Sequence, residues 1–221
     1  MINWDTIDTV LLDMDGTLLD LHYDNHFWLT YLPVAYARSR GLSDEEGRIE
    51  LLGKLDARRG QLDWYCLDHW SEQLQLDIPA LKREIRHMIR IRPFALEFLK
   101  RLHAGPTTTL LVTNAHPVTL DIKMAEIDIR PWFDHVVVSH QYRAAKEELA
   151  FWEQLQSQHP FNPARTLFID DSESVLDTAR EYGIAHLLTL LQPDSEQGKR
   201  LDTRFPGIHH FDEIMPTGST T

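Results

Sequence analysis

Two carboxylates, Asp13 and Asp15, follow the short apolar run Thr9-Val10-Leu11-Leu12 and lead into a glycine turn, Asp13-Met14-Asp15-Gly16-Thr17. If that run is a strand, residues i and i+2 project to the same side, and its carboxyl end is where open α/β sheets bind ligands. A second acidic pair, Asp170-Asp171, followed by Ser172, ends another apolar run, Thr166-Leu167-Phe168-Ile169. With these strands as neighbours, Asp13, Asp15, Asp170 and Asp171 converge, and four carboxylates that close cannot all stay ionised without a cation. An oxygen-rich set with no Cys or His beside it favours magnesium, a hard ion that takes one or two carboxylates plus a phosphate. Asp13 and Asp171 are the candidate direct ligands, with the Asp15 backbone carbonyl between them and Asp170 in support. Taken alone, an acidic strand end before a glycine turn is an ordinary feature. The second acidic pair makes it a candidate site.

Two further segments could meet an anion. Val112-Thr113-Asn114-Ala115-His116 ends a third apolar run, where a hydroxyl and exposed backbone N–H groups could hold phosphate oxygens. Lys146 is placed at the start of the helix that follows Val136-Val137-Val138, where it would supply a positive charge. Each has a commonplace alternative: Thr113 as a strand end and helix cap, Lys146 as a surface lysine.

Short β-branched runs at 9–12, 109–112, 136–138, 166–169 and 186–190 suit strands buried on both faces. Helical stretches are predicted at 94–103, 119–126, 146–158 and 174–182. Strand alternating with helix implies an α/β fold with a Rossmann-like parallel sheet. One long gap interrupts the alternation, between Leu12 and Thr109. Within it, Phe27, Trp28, Tyr31, Leu32 and Ala35 recur at helical spacing, with Pro33 a possible kink. Ser43 and Glu46 form a capping box opening a helix toward Leu55. Trp64, Leu67, Trp70 and Leu74 make a third stripe, Leu81, Ile85, Met88 and Ile89 a fourth, and Arg92-Pro93 a stop. The expected organisation is therefore an α/β core of residues 1–19 and 93–221 with an all-helical insertion at 20–92.

The 221 residues carry 22 Lys+Arg against 34 Asp+Glu, a formal net charge of −12, with 43% hydrophobic residues. That balance suits a packed globular protein and argues against gripping nucleic acid or anionic lipid over a broad surface. Residues 20–92 hold 12 acids and 11 bases, so the excess negative charge belongs to the core. Cys66 is the single cysteine, so no internal disulfide can form. No apolar run approaches a membrane span, and the amino terminus lacks a basic segment before an apolar stretch, so a cytoplasmic location is expected. The polar end TGSTT is expected to fray. The oligomeric state is left open.

The ordered set DMDGT, LLVTN, Lys146 and FIDDS resembles the four motifs of the haloacid dehalogenase superfamily, over residues 9–190. At a finer level, DTVLLDMDGTLLDL, DNHFW, LDWYCLDHWSEQL, LLVTNAHP and RTLFIDDSE are similar to the superfamily's bacterial GMP/IMP nucleotidase branch. The resemblance implies that the first and fourth motif strands are adjacent and that the inserted helices form a mobile cap. It also implies a magnesium-dependent phosphomonoesterase acting on purine nucleoside 5′-monophosphates. Asp13 would attack phosphorus to form an aspartyl-phosphate, and Asp15 would serve as acid and then base. Thr113, Asn114 and Lys146 would hold the phosphate, and Asp13, Asp15 and Asp171 the Mg2+. Dehalogenation needs the first of the two motif acids but not the second, so Asp15 favours a phosphatase. Many members carry an acid or glycine four residues beyond the fourth-motif Asp, where this chain has Val175. That leaves Asp171, beside Asp170, as the metal-binding centre. The alternatives are a phosphatase for sugar phosphates or phosphoglycolate and, in another class, a non-catalytic phosphate-binding regulatory module.

Among the aromatics that could stack on a purine, Trp28 and Trp64 lie nearest the resembling strings, although most of those in 20–92 are expected in a core. The histidines, including His22/His26 and His209-His210, show no HExxH pattern and no Cys/His set that completes a transition-metal site. His116 is a possible substrate contact. Arg58-Arg59 and Lys82-Arg83 are expected on solvated helix faces.

Overall fold

The computed structural model describes residues 2–216, so the expectation for the TGSTT end falls outside the described residues. Six strands, β1 (Thr9–Leu12), β2 (Thr108–Thr113), β3 (His135–Val138), β4 (Thr166–Ile169), β5 (His186–Leu190) and β6 (Gly207–Ile208), form one sheet. Their order is β3-β2-β1-β4-β5-β6, and every pair is parallel. All four residues of β1 and of β4 are buried, as their unbroken apolar runs require in a sheet covered on both faces. The order reverses between β1 and β4, the kind of switch point at which open sheets leave a crevice beyond their carboxyl ends. Leu12 is opposite Leu111 on one side and Ile169 on the other, so the residues after β1, β2 and β4 emerge side by side. β6 has no counterpart in the predicted strands. Its two residues extend the edge beside β5, too short to leave an apolar run in the sequence.

The helices are α1 (His22–His26), α2 (Leu32–Arg40), α3 (Asp44–Asp56), α4 (Leu62–Tyr65), α5 (Leu67–Leu74), α6 (Ile78–Glu84), α7 (Ala95–His103), α8 (Pro117–Glu126), α9 (Ser139–Tyr142), α10 (Leu149–Gln158) and α11 (Glu173–Tyr182). Val10 and Leu12 face one layer, with Phe98, Leu99 and Leu102 of α7 and Leu120 of α8. Leu11, Phe168 and Val112 face the other, with Phe151 and Trp152 of α10 and Leu176 of α11. No described helix is long and apolar enough to cross a membrane.

Helices α1–α6 all lie between β1 and β2 in the chain, and their apolar faces (Tyr23, Leu51, Trp70, Leu74, Ile78) join the first of those layers. Pro33 does not break the first of them. A π-helical segment, Phe27–Tyr31, joins α1 to α2 and leaves Pro33 in the first turn of α2, where proline is tolerated. The Ser43–Glu46 capping box forms, with Glu46 accepting from the Ser43 N–H at 2.9 Å. The third stripe is broken at Cys66, which caps α5 after α4 ends. The chain enters and leaves this helical region through adjacent segments. The Asp20 N–H donates to the Arg90 carbonyl and the Arg92 N–H to the Leu18 carbonyl, each at 2.9 Å.

Candidate active site

Register brings the acidic strand ends together. Asp13, one residue beyond β1, donates its N–H to the Ile169 carbonyl at 3.0 Å, which sets it beside Asp170. Gly16 makes the turn at φ +82°, a left-handed conformation that favours glycine. A Cβ there would lie 2.6 Å from the Asp171 Cγ, so the glycine also lets Asp171 close on β1. Lys146 is buried among these acids. Its Nζ donates to Asp13 Oδ1 at 2.6 Å, Asp170 Oδ2 at 2.7 Å and the Val112 carbonyl at 3.2 Å. Lys146 does not open a helix as expected: α10 starts at Leu149, and Lys146 sits in the turn before it. The turn is fixed from both sides, by Asn114 Oδ1 accepting the Lys146 N–H at 3.0 Å and the Trp152 indole donating to its carbonyl at 2.9 Å.

One ammonium faces three carboxylates here, and the excess charge shows in their proton affinity. Burial pushes Asp13 up to about 6, with Lys146 opposing and Asp170 adding to the rise. Asp171 is pushed well above the usual carboxylate range by burial, then by Asp170 and Asp13, and Arg200 opposes only in part. Oxygens of Asp13, Asp170 and Asp171 lie within 4.8 Å of one another, and Asp13 Oδ2 is buried without a hydrogen-bond partner. Asp170 is already engaged, by Lys146 and by the Ser172 N–H at 2.8 Å. This donor set fits a hard divalent cation: Asp13 and Asp171 have oxygens to offer, and a cation would relieve their repulsion.

Thr113 and Asn114 stand at the same edge, at the end of β2. Thr113 accepts the Ala115 N–H at 3.0 Å and lines the cavity. The Asn114 side chain turns inward: besides holding Lys146 it donates to Glu147 Oε2 at 2.9 Å. The other Glu147 oxygen accepts from the Tyr65 hydroxyl at 2.6 Å, tying α4 to the turn that carries Lys146.

Asp15 is held by a buried chain of ion pairs that helical spacing does not reveal. The Lys123 ammonium of α8 donates to Asp15 Oδ1 and to Asp24 Oδ2 of α1. Lys82 of α6 donates to Asp24 Oδ1 at 2.9 Å. Both lysines are about 1% exposed, so the solvated face expected for Lys82 is corrected, while Arg83 does point outward. Lys82 is wrapped by aromatic faces, 4.5 Å from the Phe27 ring centroid and 4.9 Å from that of Tyr23. Burial raises Asp15 to about 6 against the pull of Lys123. Burial also works against the Asp24 carboxylate, yet Lys123 and Lys82 hold it down at about 2. The available signal was a lysine within an otherwise apolar stripe of α8, among Leu120, Ile122 and Met124.

These groups floor a cavity of about 410 Å³, within the range of small-molecule sites. Asp13, Asp15 and Asp171 line it together with Trp28, Trp64 and His116. Arg59 also reaches the cavity, its guanidinium over the Trp64 ring at 5.4 Å, whereas Arg58 stays solvated. The structure also brings together one Cys/His group that the sequence spacing does not show. Cys66, His116 and His140, far apart in sequence, place donor atoms within 4.8 Å of one another.

The chain matches the family described as haloacid dehalogenase-like hydrolase over residues 7–183. It is 36% identical to the GMP/IMP nucleotidase YrfG of Escherichia coli (strain K12) over 216 residues, covering 98% of this chain and 97% of that protein. In fold it is similar to a HAD phosphatase from Thermococcus onnurineus (TM-score 0.78, 20% identity, 94% of this chain and 96% of that one). It is also similar to a putative beta-phosphoglucomutase from Thermotoga maritima (TM-score 0.63, 18% identity, 88% and 90%).

Proposed function

The chain belongs to the haloacid dehalogenase-like hydrolase family, and on that premise we propose that it is a magnesium-dependent phosphatase of purine nucleoside 5′-monophosphates. One observation carries the chemistry. Asp13 keeps a buried, unpartnered oxygen beside Lys146 and Asp171, with Asp15 two residues on, at the floor of a cavity with indole walls. The purine preference rests on identity to the nucleotidase across nearly the whole of both chains, and on Trp28 and Trp64 as stacking surfaces.

In this reading one carboxylate oxygen of Asp13 attacks phosphorus, and the P–O bond to the nucleoside breaks as the aspartyl-phosphate forms. Asp15 gives its proton to the departing 5′ oxygen, a role suited to a carboxyl raised to about 6. Water then attacks the same phosphorus, Asp15 takes the water's proton, and phosphate leaves with Asp13 regenerated. Lys146 keeps Asp13 ionised and, with Thr113, faces the phosphate oxygens; Asn114 acts by fixing Lys146. Mg2+, held by Asp13, the Asp15 backbone carbonyl and Asp171, would screen the anionic nucleophile from the anionic phosphate. Residues 20–92 would act as a cap that supplies the base-recognising wall.

The test is phosphate release from a panel of purine and pyrimidine nucleotides, sugar phosphates and phosphoglycolate, with magnesium or with chelator. Magnesium-dependent release, fastest from GMP or IMP, is expected. Preference for sugar phosphates would overturn the substrate, and no release from any compound would overturn the enzyme.

A further inference from the structure

Outside the carboxylate cluster, one group of side chains has the chemistry of a different metal. Cys66 lies between α4 and α5, His116 between β2 and α8, and His140 in α9, and their donor atoms lie within 4.8 Å of one another. Both ring nitrogens of His140 are buried with no hydrogen-bond partner, although a buried imidazole ordinarily finds one. The His116 ring stands edge-on to it, centroids 5.0 Å apart, and His116 Nε2 is 3.5 Å from the exposed Asp68 carboxylate. The Cys66 sulfur caps α5, receiving the His69 N–H at 3.5 Å.

We propose that Cys66, His116 and His140 form a binding site for a zinc-class divalent cation, seated where the α4–α5 segment meets the core. One sulfur and two imidazole nitrogens suit zinc and its cobalt substitute and are poor ligands for magnesium, so the site is chemically distinct from the Asp13/Asp171 pair. Asp63 and Asp68 add negative charge near His140, and Asp68 or water can take the fourth position. Binding displaces the Cys66 thiol proton to solvent. His116 Nδ1 now accepts the Val118 N–H at 3.3 Å, so its ring proton is on Nε2; coordination through Nε2 moves that proton to Nδ1 and gives up this long cap bond. With one ligand from the inserted helices and two from the core, an occupied site ties α5 down at the edge of the cavity that His116 lines.

The experiment is cobalt(II) titration of the full chain, read by the near-ultraviolet thiolate-to-cobalt absorption and the visible bands of a tetrahedral ion. One cobalt per chain with thiolate absorption is expected, displaced by zinc and unaffected by a thousandfold excess of magnesium. The same spectrum is expected in Asp13→Asn, which separates this site from the proposed magnesium site and from any failure of the phosphatase reading. Cys66→Ser should lose the thiolate absorption, and His140→Gln should weaken binding at least tenfold. Both variants are to be checked for wild-type melting without metal. Absence of thiolate absorption in the wild-type protein, or an unchanged spectrum in Cys66→Ser, overturns the proposal without reference to any variant's folding or activity.

Discussion

Asp15, just beyond β1, and Asp24, in α1, share the buried ammonium of Lys123. With Lys82 bonded to the far side of Asp24, two acids and two bases alternate from the sheet edge into the inserted helices. The proposed acid–base residue is thus positioned by α8, a helix more than a hundred residues away in sequence.

Lys123→Met should reduce kcat by roughly 10- to 100-fold, part of what positioned proton transfer contributes. The ammonium pulls the Asp15 affinity for protons down, so removing it should move the Asp15 limb of the kcat pH profile upward. A fall in kcat with an unmoved profile would assign Lys123 to folding alone. Thermal melting is the companion measurement, since an uncompensated buried charge costs about 3–5 kcal/mol.

Asp13→Asn should lower kcat by more than about 10³-fold with the circular dichroism spectrum unchanged, because the nucleophile is lost while Lys146 keeps Asp170. Activity near wild type would remove Asp13 from the nucleophile's place.

Magnesium at 100 times its Kd should stabilise the fold by about 2.7 kcal/mol, read as a rise in Tm. Asp171→Asn should abolish that rise, since it removes a carboxylate whose repulsion the ion relieves. An unchanged Tm in the wild type at saturating magnesium would count against the site.

Asp24 gives a pH dependence of stability. Its carboxyl is held at about 2, below its ordinary value of 3.8, so its contribution is complete above pH 4 and lost as pH falls through 2. The shift corresponds to on the order of 2 kcal/mol. The stability gap between wild type and Asp24→Asn, measured by urea unfolding, should therefore be largest near neutrality and shrink between pH 4 and pH 2. A gap that stays constant over that interval would mean that Asp24 is not ionised by its lysines.

Trp64→Ala should raise KM for GMP about tenfold or more, the scale of one lost stacking contact, and leave KM for ribose 5-phosphate unchanged. An equal rise for both would make Trp64 a wall of the cavity with no part in base recognition.

The carboxylate cluster was legible in the sequence because strand ends are short-range features: an apolar run fixes where Asp13 and Asp170 emerge, and sheet register does the rest. Lys123 and Lys82 were not, because helical periodicity counts lysine as solvent-facing, and only the meeting of α6 and α8 with α1 and the end of β1 supplies the acids that let them be buried. The break at Cys66 was hidden for a related reason. Trp64, Leu67, Trp70 and Leu74 keep helical spacing across it, so the stripe reads as one helix. Asn114 was placed correctly at the strand end, but which way its amide turns depends on Lys146 and Glu147, more than thirty residues away.

The pairing of segments 18–20 and 90–92 makes the long excursion between β1 and β2 nearly a closed loop, with both ends at one place on the core. A chain built this way is topologically forgiving. Excising residues 21–89 would leave two ends that a short turn could rejoin, but would also remove Asp24 and Lys82, the partners that complete the hold of Lys123 on Asp15. Register therefore fixes where Asp13 and Asp170 stand, whereas Asp15 answers to the inserted helices through Asp24.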